Sequence, residues 1–152
     1  MAVPVEFSRP PSHSNSFGEP TGWQNGIMIS VIGGSIRVQR FMLRSKIHRA
    51  TLTGTELDYE GSIAIDRTLI EAADLLPGEQ VHVLNLSNAQ RLITYVIEAP
   101  AGSGTIMLNG PAARLGAVGD KVVILAYCAV DGQEARELKP KIVHVDEKNR
   151  LA

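Results

Sequence analysis

The chain carries one cysteine, which excludes an internal disulfide. Cys128 lies in the apolar run VVILAYCAV, where a buried structural thiol in a reducing cytoplasm is the expected role. A charge excess of either sign is missing too: 15 Lys and Arg face 16 Asp and Glu, and no basic cluster marks one face, so no nucleic-acid partner is expected. His13, His48, His82 and His144 are scattered, and none pairs at a metal-ligand spacing, which speaks against a metal. The chain has neither a Walker A loop nor a G-x-G-x-x-G after a strand, so no nucleotide is expected. No apolar run is long enough to cross a bilayer. IMISVIGGSIRV is short and split by Gly33-Gly34, and it sits too deep, without a basic flank, for a secretory signal. Aromatic residues make up only 5% of the chain, so a core this poor in rings invites further burial between subunits.

What remains is the composition of one globular domain of 152 residues, 44% hydrophobic and 20% charged. The first forty residues are rich in Pro, Ser, Gly and Asn without a sustained period, and are expected to be disordered or loosely attached. From Met42 a pattern sets in. MLRSKIHRATLT alternates as a strand, with Arg44, Lys46 and His48 on one face and Leu43, Ser45 and Ile47 on the other. SIAI reads as a short strand, and Asp66 caps a helix through RTLIEAADL that Pro77-Gly78 closes. EQVHVLNL, RLITYVIEA, TIML, DKVVILAYCAV and KIVHV read as further strands. Asn109-Gly110-Pro111 reads as a tight turn, AARLGA as one helical turn, and Glu134 to Leu138 as a short helix. Many short strands and few short helices indicate a mainly β fold, a small barrel with helical decorations.

Within LDYEGSIAID, the pair Gly61-Ser62 admits two readings. Taken alone it is a turn. Chemically it is also a bond that can cut itself. The serine hydroxyl attacks the preceding carbonyl in an N-to-O acyl shift, and the glycine leaves that centre unhindered and tolerant of strained backbone. Elimination from the resulting ester and hydrolysis then leave a pyruvoyl group on the new N-terminus.

MLRSKIHRATLTGTELDYEGSIAID, RLITYVIEA and IMLNGPAARLGAVGD, in this order and spacing from about Arg40 to about Pro140, resemble the bacterial aspartate 1-decarboxylase family. The most specific signature is K-[IL]-H-R followed by Y-E-G-S-x-A-I-D. The resemblance implies a double-psi β-barrel and a homotetramer, which cleavage makes a heterooctamer of shorter β and longer α chains. It also implies a pyruvoyl cofactor, with no metal or nucleotide, and conversion of L-aspartate to β-alanine and CO2 for pantothenate and coenzyme A synthesis. Position by position, Ser62 becomes the pyruvoyl group that forms a Schiff base with substrate, and Gly61 ends the shorter chain. Tyr95 is the implied proton donor. Thr94 contacts substrate and assists cleavage, and Tyr59 lines the cleavage loop. Gly110, Pro111 and Ala112 form a substrate-binding backbone segment preceded by Asn109. Lys46, His48 and Arg91 are the implied basic residues of the pocket.

Those residue types suit the chemistry. A ketone can act as an electron sink for decarboxylation, and a phenol can return a proton to the carbon left behind. An arginine fork can hold a carboxylate, and the substrate's side-chain carboxylate is the better assignment for Arg91, because gripping the departing one would stabilise the ground state. On a regular strand Arg91 and Tyr95 lie roughly 13 Å apart on one face with Thr94 on the other, so a bulge near Thr94 or a site between subunits is expected.

Family members usually begin a few residues before the segment equivalent to Met42. Residues 1–37 are therefore expected to be a disordered or non-family extension, either a mis-called start near Val38 or an appended leader, with the barrel over 38–152. Pro111 stands where a small alanine is expected, which removes an N–H, and Leu84 replaces a bulkier aromatic of some members. Two other functions stay open at this point: a non-catalytic barrel used for binding or assembly, and a pyruvoyl decarboxylase acting on a related amino acid.

Overall fold

The computed structural model describes residues 22–24, 27–32 and 35–152, those before Val38 as backbone alone. Residues 1–38 and 39–152 are separate compact units. In the first, β1 (Gly22–Gln24), β2 (Ile27–Ile32) and β3 (Ser35–Val38) pair as an antiparallel meander, with Trp23 opposite Met28 and Val31 opposite Ile36. The Ile- and Val-rich sequence finds ladder partners within its own length. Of the extension expected over 1–37, residues 1–21, 25–26 and 33–34 lie outside the described residues.

The second unit runs β4 (Arg40–Thr51), β5 (Gly54–Glu56), β6 (Ser62–Asp66), α1 (Arg67–Ala72), β7 (Gln80–Asn85), β8 (Arg91–Ala99), β9 (Ile106–Asn109), a 3-10 helix (Gly110–Leu115), β10 (Lys121–Val130), α2 (Glu134–Glu137) and β11 (Lys141–His144). Sheet order is β11-β4-β10-β7-β8-β6-β9-β5. The chain between β4 and β5 closes this sheet: the Leu52 N–H donates to the Asp120 carbonyl and the Thr53 N–H to that of Ile106, each at 2.8 Å. Strand β6 runs parallel to β8 and antiparallel to β9, while β5 runs parallel to β9 on its other side. The fold is the expected one, a mainly β, small double-psi barrel with a few short helices. Ile47, Leu52, Ile63, Ile65, Leu108 and Ile124 fill its interior.

The alternation expected of β4 holds through Ser45 and Ile47, both buried, and then reverses, so that Ala50 and Leu52 turn inward. The cause is a bulge. Ile47 faces Ile124 and Ala50 faces Val122, which sets three steps against two, and Arg49 takes up the extra residue at φ 61°.

At the far end of β6, buried Asp66 does more than cap α1. Its carboxylate accepts the N–H groups of Thr68 (2.8 Å), Gly102 (2.9 Å) and Gly104 (2.6 Å). Burial alone would raise its pKa, but these donors outweigh it and hold the value below that of an ordinary aspartate. A depressed folded-state pKa stabilises fully above the unfolded value, about pH 4, and is lost as pH falls through the folded value. Asp66→Asn should cost about 1–3 kcal/mol at neutral pH. Urea melts at pH 7 and pH 3 should also show it losing less on acidification than the parent.

Candidate active site

The cleft is built where β6 begins. Glu56 of β5 and Ser62 of β6 both pair with Asn109, from opposite sides of β9. Residues 57–61 must therefore leave one flank of β9 and return to the other, and they do so with little slack. The cost appears in the backbone: Gly61 sits at φ 112° and Ser62 at φ 148°. For a residue with a side chain, such a φ is disfavoured by about 1–3 kcal/mol, and it persists only where the surroundings enforce it.

Those surroundings are tight. Ser62 is fully buried, and its Oγ accepts a hydrogen bond from Asn109 Nδ2 at 2.9 Å. Asn109 Oδ1 is buried without a hydrogen-bond partner among the described residues. Gly110, at φ 61°, lies so close beneath the loop that a Cβ there would stand 2.5 Å from the Tyr59 carbonyl oxygen and 2.6 Å from the Gly61 nitrogen. The Asn109-Gly110-Pro111 turn thus opens the 3-10 helix and braces the strained bond. The ring of Tyr59 is half exposed, and its backbone carbonyl is the part that meets Gly110.

A cleft of about 330 Å³ opens beside this bond, lined by Gly61, Ser62, Thr94, Tyr95, Asn109, Pro111 and Ala112. Glu60, Leu92, Ile93 and Leu115 complete the wall; sequence reasoning missed them because Leu92, Ile93 and Leu115 are single apolar residues without a chemical signal and Glu60 reads as an ordinary loop carboxylate. The bulge expected near Thr94 is absent, for β8 keeps an unbroken register on β7 from Tyr95↔Gln80 to Arg91↔Leu84. Thr94 and Tyr95 both reach the cleft for another reason. The β6–β8 ladder starts at Ile63↔Val96, so the edge of β8 before Val96 has no partner on that side and lies open.

Four expected substrate-binding residues do not line the cleft: Gly110, which lies beneath the loop, and the three basic ones. Arg91 is exposed on the outer face of β8. Lys46 lies in a row with Leu125, His82 and Ile93 across four adjacent strands, three strand spacings or roughly 14 Å from the cleft's edge. His48 borders a separate hollow with Arg49, Lys121 and His144. Its ring meets that of His144 edge-on at 5.5 Å. Burial, then the charges of Lys46, His144 and Arg49, push its pKa below the usual histidine value. A larger hollow of about 450 Å³, lined by Phe41, Glu79, Gln80, His82 and Tyr127, contains none of the expected catalytic groups.

Fold and cleft together define a double-psi barrel with a cleft beside a strained Gly–Ser bond. Among known families, the one described as aspartate decarboxylase matches residues 38–152. Curated relatives named aspartate 1-decarboxylase include those of Thermoanaerobacter pseudethanolicus (54% identical, covering 74% of this chain and 97% of that one) and Dehalococcoides mccartyi (58%, covering 72% and 89%). The enzyme of Syntrophus aciditrophicus is 55% identical over 75% of this chain and 98% of its own. The crystal structure of the rationally designed mkDPBB_sym_86 protein aligns at 19% identity and TM-score 0.40 over 51% of this chain and 90% of that one, too weakly to add to the strand pairings. The chain belongs to the aspartate decarboxylase family. Its reaction is the decarboxylation of L-aspartate to β-alanine and CO2.

Proposed function

We propose that the protein matures by cutting its own Gly61–Ser62 bond, and that the serine becomes the pyruvoyl group on which aspartate is decarboxylated. The observation that carries this reading is the backbone of Ser62. A buried serine held at φ 148° directly after a glycine at φ 112° is costly, and relief of that strain favours the break. In the acyl shift the Ser62 Oγ bonds to the Gly61 carbonyl carbon, the peptide C–N bond breaks, and the hydroxyl proton goes to the freed amine. The residues present fit the group. The Asn109 amide that donates to the serine oxygen could also donate to the ketone oxygen that hydrolysis would place on the Cα of residue 62. When formed, the pyruvoyl group supplies an electron sink for loss of CO2. Tyr95, 39% exposed at the cleft mouth, is placed to return a proton to the substrate carbon. Thr94, Pro111 and Ala112 line the cleft and border the substrate, although Pro111 offers no N–H. Mass spectrometry of the purified protein should show two chains, residues 1–61 and 62–152. A single unbroken chain that still formed β-alanine would refute the scheme.

Lys46, His48 and Arg91 enter this reading through assembly. The outer face of the β4–β10–β7–β8 sheet exposes Phe41, Ile93 and Tyr127, an apolar surface suited to a second copy of the chain. A homotetramer buries it and can bring basic groups of one protomer to the cleft of another. In that setting Arg91 holds the side-chain carboxylate of aspartate. Arg91→Lys should raise KM for aspartate about tenfold or more, the value of losing a bidentate fork, with processing unchanged. Unaltered steady-state kinetics would remove Arg91 from the site. A soluble cytoplasmic setting accords with the lone cysteine.

A further inference from the structure

We propose that Asn149 is a positioning residue for self-processing, a clasp that fixes the two flanks of the scissile loop and so maintains its strain. The inference rests on the maturation proposed above and concerns a turn that no motif singled out. Asn149 is 2% exposed, and its backbone adopts a left-handed φ of 57° that turns the side chain into the barrel. Its Oδ1 accepts the Thr51 N–H at 2.7 Å, and its Nδ2 donates to the carbonyls of Thr51 and Gly104, each at 2.8 Å. The amide thus has every strong hydrogen-bonding direction but one filled by main chain from two distant segments.

Those segments are the two ends of the cleavage unit. Thr51 is the last residue of β4, directly ahead of the chain that leads through β5 to the loop. Gly104 grips the other end, since its N–H donates to Asp66 Oδ2 at 2.6 Å and the neighbouring Thr105 carbonyl accepts the Asp66 N–H at 2.8 Å. Asp66 closes the strand that Ser62 opens. The grip is doubled by Arg150, which donates to the Gly102 carbonyl, while the Gly102 N–H donates to Asp66 Oδ1. Contact is close as well: a Cβ on Gly104 would stand 2.5 Å from the Lys148 carbonyl oxygen. With both flanks held, residues 57–61 cannot relax by sliding β5 or β6, and the positive φ at Ser62 has no outlet except bond breakage. Thr51 precedes the scissile bond and Asn149 follows it, so the same amide then links the two product chains.

Asn149→Asp keeps the acceptor for Thr51 and removes both donated bonds; Asn149→Gly keeps the left-handed backbone and removes all three. Intact mass followed over time, well below the melting temperature, should show conversion to two chains slowed about tenfold or more in Asn149→Asp, the lower end of what two lost hydrogen bonds give, and more still in Asn149→Gly. Turnover per matured site should match the parent, because the clasp does not touch substrate. Val143→Ala, a core truncation in β11, supplies the structural comparison: it should lower the melting temperature comparably while processing at the parental rate. Asn149 variants that process at the parental rate, or only as slowly as Val143→Ala, would overturn the clasp. A parent chain that never splits would instead overturn the maturation reading, and this inference with it.

Discussion

Ser62→Ala should emerge as one uncut chain of 152 residues that forms no β-alanine from aspartate. The substitution removes a single oxygen, but under the proposed maturation that oxygen is the nucleophile for chain cleavage and the group whose elimination lets the Cα of residue 62 become the reactive ketone. The fold should survive. Ser62 is fully buried, and losing its hydroxyl leaves one amide donor, Asn109 Nδ2, without a partner. That costs about 1–3 kcal/mol, a fraction of the stability of a domain of this size. Circular dichroism melts should therefore show a cooperative transition a few degrees lower, while intact mass shows one species and the decarboxylation assay reads background. Parental activity from an uncut Ser62→Ala chain would mean that another group carries the chemistry.

Gly110→Ala should have the second largest effect, although nothing about the substitution alters a reactive group. A left-handed conformation costs an alanine about 1–2 kcal/mol. The added methyl must also displace main chain, for its ideal position lies 2.5 Å from the Tyr59 oxygen, 2.6 Å from the Gly61 nitrogen and 2.8 Å from the Gly61 Cα. Rigid backbone cannot swing aside as a long side chain can, so overpacking adds roughly 1–3 kcal/mol. The cheapest relief is to lift the cleavage loop off the 3-10 helix, which moves the Gly61 carbonyl away from the hydroxyl that attacks it. Processing should fall by at least about a hundredfold, the rate equivalent of some 3 kcal/mol of lost positioning. Gly78→Ala provides the control. It shares a positive φ, 83°, with nothing within 4 Å of the new methyl, so it should lose stability slightly and mature normally. Equal processing in the two variants would show that Gly110 serves the turn alone.

Local pattern accounts for much of the barrel. The alternating strands, the Asp66 cap and the turn at Asn109-Gly110 follow from side-chain period and backbone preference, which act over a few residues and can be read without the fold. The Gly61-Ser62 pair and its companions Thr94, Tyr95 and Asn109 were legible as a set only through a family resemblance, because each alone is an ordinary turn or strand residue. What the chain did not disclose depends on partners distant in sequence. Arg49 bulges because β10 offers two positions against three, so the face expected of β4 reverses after His48. Thr94 and Tyr95 share the cleft because β6 starts late against β8 and leaves an edge of β8 open, where strand period alone left a bulge or a site between subunits to reconcile them.

The sequence by itself determined which atoms are available: a glycine carbonyl, a serine hydroxyl and a phenol, in an order that only a family resemblance makes readable as a site. Only the tertiary structure decided that the bond between the first two is strained. Strain is not a property of Gly-Ser. It arises because β9 receives β5 on one side and β6 on the other at the same residue, Asn109, and because a buried asparagine near the C-terminus holds both flanks in place.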